Sequence, residues 1–245
     1  MSIVLSVNVG LRAPNPAGTG IPSGMRKHPV DGPVLLRDPG DKRTGDGSGV
    51  VGDFVGNRRH HGGTFQAVYA VSREELDVWA ADLGRDLPAG AFGENLTTEG
   101  LDVDAALVGE IWQVGPVVRL KVTGPRIPCR TFASAMGVRG WVPKFTRRGR
   151  TGAYLQVLTP GEVAAGDSIT VEHRPEHSIT VPLLFAALTT DRSLMPRLLE
   201  AGDDLPSDTR AEVERYVAKH QVEHGTQHTE SPRRRERAWA AEPGP

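Results

Sequence analysis

The sequence predicts a mainly β fold of the α+β class, a strand-built barrel with a few helices and a small helical appendage at its C-terminal end. Three observations predict it. Glycine and proline supply 48 of 245 residues, well above the roughly 12% of an average chain, so turns are frequent. Short runs rich in β-branched residues recur between those turns, as in an all-β barrel. Beyond His173 the apolar residues change to helical spacing. The boundaries expected are a barrel over residues 1–175, a helical appendage over 176–222 and a disordered tail over 223–245.

The elements follow in order. Ile3–Val9 is a β-branched strand, and Gly10–Gly24 a Gly/Pro loop. Arg26–Leu36 reads as a hairpin turning at Asp31-Gly32. Pro39–Gly49 is polar, Gly-rich and expected to be mobile. Phe65–Val71 is a strand. Ser72 then caps a helix, with Glu75 three residues on; Leu76, Trp79, Ala80 and Leu83 form its apolar stripe and Gly84 stops it. Trp79 is expected in the core. Leu107–Val114 and Val117–Val122 form a hairpin through Gly115-Pro116. Phe132–Gly152 reads as a basic connection, followed by closing strands at Ala153–Leu158 and Ser168–Glu172. Val181–Thr189, Leu194–Ala201 and Asp208–His220 are helical, with Ser207 capping the last. His220, His224 and His228 would share a helical face, yet Gly225 weakens that helix and a polar tail is the preferred reading. The arginine run at Arg233–Arg237 reads as disorder, and nucleic-acid binding is not expected without an aromatic-basic fold around it.

Charge is segregated. Ile111–Gly161 has no Asp or Glu but nine Lys or Arg, leaving 20 basic and 30 acidic residues elsewhere. Inside that basic segment lies the only cysteine, in Pro125-Arg126-Ile127-Pro128-Cys129-Arg130. A lone cysteine makes no internal disulfide, so it is buried filler or a reactive thiolate. The flanking arginines favour the thiolate, the form that attacks electrophiles and binds metals. The same field would hold an anionic cofactor or substrate.

Two further stretches stand out. Arg58-Arg59-His60-His61-Gly62-Gly63 joins cations to paired glycines, which permit positive φ or close backbone approach. If extended, His60 and His61 face opposite ways, so at most one enters a given pocket. Zinc is not expected, because too few ligands stand at recognisable spacing. In Phe92-Gly93-Glu94-Asn95-Leu96, a carboxylate and an amide lie among apolar residues and must find partners. Loop pinning is the preferred reading, presentation of Asn95 to a ligand the other.

These stretches together carry a family resemblance. Gly52-Asp53 leading to His60-His61-Gly62-Gly63, then Phe92–Leu101, then Val108-Gly109-Glu110-Ile111 running to Pro125-Arg126-Ile127-Pro128-Cys129, resemble the MOSC domain in that order. The MOSC domain is named after the C-terminal part of molybdenum-cofactor sulfurases, and the layout is most similar to its stand-alone YiiM-like branch. The resemblance implies a β-barrel and the molybdenum cofactor, a phosphate-bearing pterin dithiolene. It implies Cys129 as molybdenum ligand and reduction of N-hydroxylated compounds to amines. His61 and Asn95 match motif positions that would orient the N–OH group or supply a proton, and Arg58, Arg59, Arg126 and Arg130 would bind the cofactor phosphate. The Gly10–Gly49 insert departs from the pattern. The pyridoxal-phosphate desulfurase domain of the sulfurases is missing, so that cofactor is not expected.

One cysteine cannot build a four-thiolate iron–sulfur cluster, and no Gly-x-Gly-x-x-Gly fingerprint occurs. Electrons would come from a flavin or iron–sulfur partner. The alternative reading is a sulfur carrier with a persulfide on Cys129. Lacking a secretory signal pattern and any apolar run of ~18 residues, the chain is expected to be cytoplasmic, with no membrane partner and a possible homodimer through the helical unit.

Overall fold

The computed structural model describes residues 1–227. Its strands are β1 (Ser2–Val9), β2 (His28–Pro29), β3 (Val34–Leu36), β4 (Val68–Ser72), β5 (Leu96–Glu99), β6 (Ile111–Val114), β7 (Val118–Pro125), β8 (Ala153–Thr159), β9 (Gly161–Val163) and β10 (Ser168–His173). Its helices are α1 (Arg73–Leu83), α2 (Arg130–Met136), α3 (Trp141–Arg148), α4 (Val181–Thr189) and α5 (Ser207–Gln227).

Among the described residues, seven strands close a barrel in the order β10-β6-β7-β8-β4-β5-β1, with β1 pairing back onto β10. All neighbours run antiparallel except β4 and β5. Those two are joined through α1, because parallel neighbours need a crossover. The Ser72 hydroxyl accepts from the Glu75 amide, and Gly84 closes α1 in the left-handed region at φ 62°. Inward residues such as Val4, Leu96, Trp112, Leu120 and Leu155 fill the barrel.

Two further cores lie outside it. Against one wall, α1, α2 and α3 enclose an aromatic cluster of Trp79, Phe92, Phe132, Trp141 and Phe145. Beyond β10, α4 and α5 pack with a 3-10 segment, Arg192–Asp204, around Leu184, Met195, Leu198 and Val213. That segment stands where a helix over Leu194–Ala201 was expected, and it kinks at Gly202. No helix among the described residues is long and apolar enough to cross a membrane. His228 and the arginine run lie outside the described residues.

Several expectations are corrected. Asp31-Gly32 closes no hairpin: β2 pairs with β1 and β3 with β9, so the segment bridges two sheets. Pro39–Gly49 is held down by backbone bonds to 40–47 from Gly63 and Thr64 and by the Gly49 amide on Ala67. The strand expected from Phe65 begins at Val68, after a 3-10 turn at Thr64–Gln66. Phe132–Gly152 is not a simple connection but α2 and α3, bounded by left-handed Gly137, Gly140 and Gly149. Their buried pairs, Phe132 with Met136 and Trp141 with Phe145, stand four apart. The basic residues between had masked that spacing.

Asp104 secures the entry to β8. Its Oδ1 accepts from the Thr151 and Gly152 amides at 2.6 and 3.0 Å. Its Oδ2 is buried without a hydrogen bond, with the Arg150 Nε 3.9 Å away. Burial, reinforced by Glu75 and opposed by Arg150, lifts its pKa from 3.8 to about 6. A carboxyl raised in the folded state contributes stability below its unfolded pKa and loses it as pH rises through the folded one. Urea unfolding should therefore show roughly 2–3 kcal/mol lost from this group between pH 4 and 7. The stability of wild type relative to Asp104→Asn should fall by that amount over this range; a constant difference would assign the loss elsewhere.

Candidate active site

β7 runs on through Gly124-Pro125 and delivers Arg126-Ile127-Pro128-Cys129 to the end of the barrel. Cys129 takes extended φ/ψ of −125° and 171° and is the residue from which α2 starts. Its side chain is half-buried and lines a cavity of about 250 Å³. That volume is near the small end of ligand pockets.

Arg126 is the central charge. It is 7% exposed, and its guanidinium lies 4.9 Å from the Tyr69 ring centroid and 4.5 Å from that of Phe132. Nη1 donates to the Tyr154 hydroxyl at 3.4 Å, Nη2 approaches the Met25 sulfur at 3.2 Å, and buried Nε has no partner. No carboxylate pairs with it among the described residues. A buried cation left this way is costly unless an anion completes it.

A second charged group is internally balanced. Asp53 Oδ1 accepts from the Gly10 amide and pairs with Lys27, while Oδ2 accepts from Ser48 Oγ at 2.7 Å and Asn95 Nδ2 at 3.0 Å. Burial lowers the Lys27 pKa although Asp53 opposes the shift. Asn95 also donates to the Asn8 carbonyl and accepts from the Tyr69 amide, both at 3.2 Å. Both hydrogens and the oxygen of its amide thus have protein partners, so it pins the loop while bordering the cavity. Glu94 likewise accepts from the Gly90 and Phe92 amides and from Thr97 Oγ1, and burial raises its pKa.

His61 borders the same cavity. Burial first, then the nearby charges of Arg126, His60 and Lys42, lower its pKa to about 4. It therefore presents a neutral imidazole at pH 7. Gly62 and Gly63, at φ 80° and 83°, serve packing. A Cβ on Gly62 would sit 2.3 Å from the Gly47 carbonyl, and one on Gly63 2.8 Å from the Lys42 Cα.

The tertiary fold thus gathers His61, Asn95, Arg126 and Cys129 around one cavity. It leaves Arg58, Arg59 and Arg130 exposed and off the lining. Arg58 instead donates to the Gly45 and Asp46 carbonyls at 2.5 and 3.2 Å. Lys27, Tyr69 and Tyr154 border the cavity without having been singled out in the sequence. No local pattern marks them. Asp53, visible only as part of the Gly52-Asp53 motif, proves to be the hub of the Lys27 and Asn95 contacts. A second cavity of about 400 Å³ lies between the barrel and α4, sharing Gly62, Gln66 and Tyr154 with the first. Among the described residues no group of three or more His, Cys, Asp or Glu is placed to hold a metal ion.

Comparison with known proteins gives the family and the fold. The MOSC domain profile matches residues 57–170. The chain is similar to the uncharacterized protein YflK of Bacillus subtilis, 34% identical over 179 residues, covering 73% of this chain and 76% of that one. It is 30% identical over 176 residues to a protein named reductase from Gibberella moniliformis, covering 71% of this chain but only 30% of that longer protein. The crystal structure of YiiM from Geobacillus stearothermophilus superposes with a TM-score of 0.68 at 22% identity, covering 88% of this chain and 98% of that one.

Proposed function

This chain belongs to the MOSC-domain family, and on that premise we propose that it is a molybdenum-cofactor-dependent reductase converting N-hydroxylated compounds to amines. The observation that carries the proposal is Arg126, a buried guanidinium with an unpartnered Nε, lining the same cavity as the chain's only thiol. The donor set fits the cofactor. A lone cysteine thiolate suits a metal that arrives with its own dithiolene sulfurs, and a buried cation suits an anionic cofactor group.

In this reading Cys129 supplies the one protein ligand to molybdenum, and Arg126 holds the negative group. When bound, the cofactor supplies an oxygen-accepting, two-electron redox centre. Reduction of R–NH–OH takes two electrons and two protons and gives R–NH2 and water. His61, neutral at physiological pH, orients the N–OH group through a hydrogen bond rather than storing a proton. The Tyr154 hydroxyl, beside Arg126 and at the wall between the two cavities, is placed to pass a proton inward. Asn95 and Asp53 fix the cavity wall. The electrons come from a flavin or iron–sulfur partner, since one cysteine cannot hold a four-thiolate cluster.

The fungal relative named reductase supports the reaction class. The test is the content of protein purified from a host that makes the cofactor. Near-stoichiometric molybdenum and pterin are expected, with turnover of a hydroxylaminopurine once a reductant is added. Protein that holds neither metal nor pterin would sink the proposal. A second reading, sulfur transfer through a Cys129 persulfide, draws on the half-buried and cavity-facing thiol. Mass spectrometry showing one added sulfur on Cys129, in protein without pterin, would favour it.

A further inference from the structure

Three stretches of this sequence lack any Asp or Glu: residues 1–30, 54–73 and 111–161. They are far apart in the chain, yet all three meet at the cavity. The Phe54 amide donates to the Gly10 carbonyl at 2.9 Å, joining the first to the second. Thr131 Oγ1 donates to Asn15 Oδ1 at 3.2 Å, and Arg126 reaches Met25, joining the third to the first. His61 feels the charge of Arg126, relating the second to the third. Among the described residues Asp53 is the only carboxylate on the lining, and Lys27 neutralises it.

Exposed arginines flank the lining residues along the chain. Arg26 separates the lining residues Met25 and Lys27, Arg58-Arg59 with His60 separates Asn57 from His61, and Arg130 separates Cys129 from Thr131. Arg12 stands over the ring of Phe54, itself on the lining, at 5.8 Å. All five arginines are exposed, and none pairs with a carboxylate among the described residues. Even the nearby Asp46 carboxylate is engaged elsewhere, by Arg37. In and just after α3, by contrast, Lys144, Arg148 and Arg150 are paired with Asp82, Glu75 and Asp102, and only Arg147 of that group has no carboxylate partner among the described residues.

We infer that this arginine-flanked mouth is the docking face for an acidic electron-donor protein, bound transiently with its redox centre over the cavity that holds Cys129. The inference rests on the reductase reading, because only a redox cavity needs a donor. Within that reading the charge fits. One cysteine cannot hold a four-thiolate cluster, so in that reading electrons enter from a donor protein, by a route close to the cavity. Small, transient electron-transfer contacts are formed largely by complementary charge, which speeds encounter and fixes orientation. Five unpaired guanidinium groups are a steering field, at full strength only at low salt.

The test uses holoprotein and the double variant Arg12→Glu, Arg26→Glu, whose side chains are exposed and off the lining. Binding is measured by calorimetry with an acidic flavodoxin and an acidic plant-type ferredoxin at low and physiological salt. Turnover is measured in parallel with dithionite as a chemical donor. Wild-type protein should bind at least one of the two probes, more weakly as salt rises, and the variant about tenfold or more weakly still. Dithionite-driven turnover should be unchanged in the variant. Wild type that binds neither probe, or binds no better than the variant, overturns the docking face. A variant whose KM for the small substrate rises with dithionite also overturns it, and assigns these arginines to anionic substrates. If dithionite drives no turnover in wild type, it is the reductase reading that fails, and the calorimetry still decides whether an acidic protein docks.

Discussion

Arg126→Met should leave the ligand-free protein as stable as wild type, or more so, while ligand binding collapses. The arginine is buried, has no carboxylate partner and leaves Nε without a hydrogen bond. Contacts with the Tyr69 and Phe132 rings offset part of that desolvation, by about 2 kcal/mol or more in a desolvated setting. Exchanging buried charge for a well-packed apolar side chain is commonly neutral or stabilising. Removing one partner of a buried charge contact costs about 2–5 kcal/mol of binding, or roughly 30-fold to several thousand-fold. Urea unfolding of the free protein and pterin content of the purified protein give the two readouts. A variant that unfolds far more easily but still retains pterin would make Arg126 a structural residue and remove the main support for the cofactor reading.

Phe132→Ala should be the most destabilising of the changes considered, at about 3–5 kcal/mol. Its ring lies 5.3 Å from Phe92, 5.2 Å from Trp141 and 5.1 Å from Phe145, with Arg126 over its face. The effect should reach the site. Helix α2 has only seven residues, too few to be stable alone. Phe132 and Met136 are its buried side chains, and its first turn holds the position of Cys129. Loss of the ring should therefore also speed reaction of Cys129 with a thiol reagent under native conditions. A loss below about 1 kcal/mol with no change in thiol reactivity would show that something else anchors α2.

Lowering the pH probes the same chemistry from another side. The depressed pKa of His61 makes its protonation oppose folding, so stability is lost as pH falls from the unfolded value toward about 4. Asp104 acts in the opposite direction over an overlapping range. The two contributions therefore oppose each other between about pH 4 and 6 and are both level above about pH 7, so the compensation between these two buried groups lies on the acid side of neutrality.

The sequence by itself determined what is written locally. Ser72 and Gly84 set the limits of α1 because caps are satisfied within one helical turn, whereas the Glu75 carboxylate turns away to Arg148 and Arg150 instead of closing a capping box. The solitary cysteine, the acid-free segment and the ordered motifs were enough to identify the barrel and three of the stretches that border the cavity. Tertiary structure decided the rest, because burial and hydrogen-bond partnership join residues that no local pattern connects. Asn95 finds Asn8 from 87 positions away, and Tyr69 donates to the Thr151 carbonyl from 82 away. Arg58 and Arg126 look equally basic in the chain. Only the fold leaves one on the surface bound to backbone carbonyls and seals the other beside the thiol, where desolvation gives its charge a purpose.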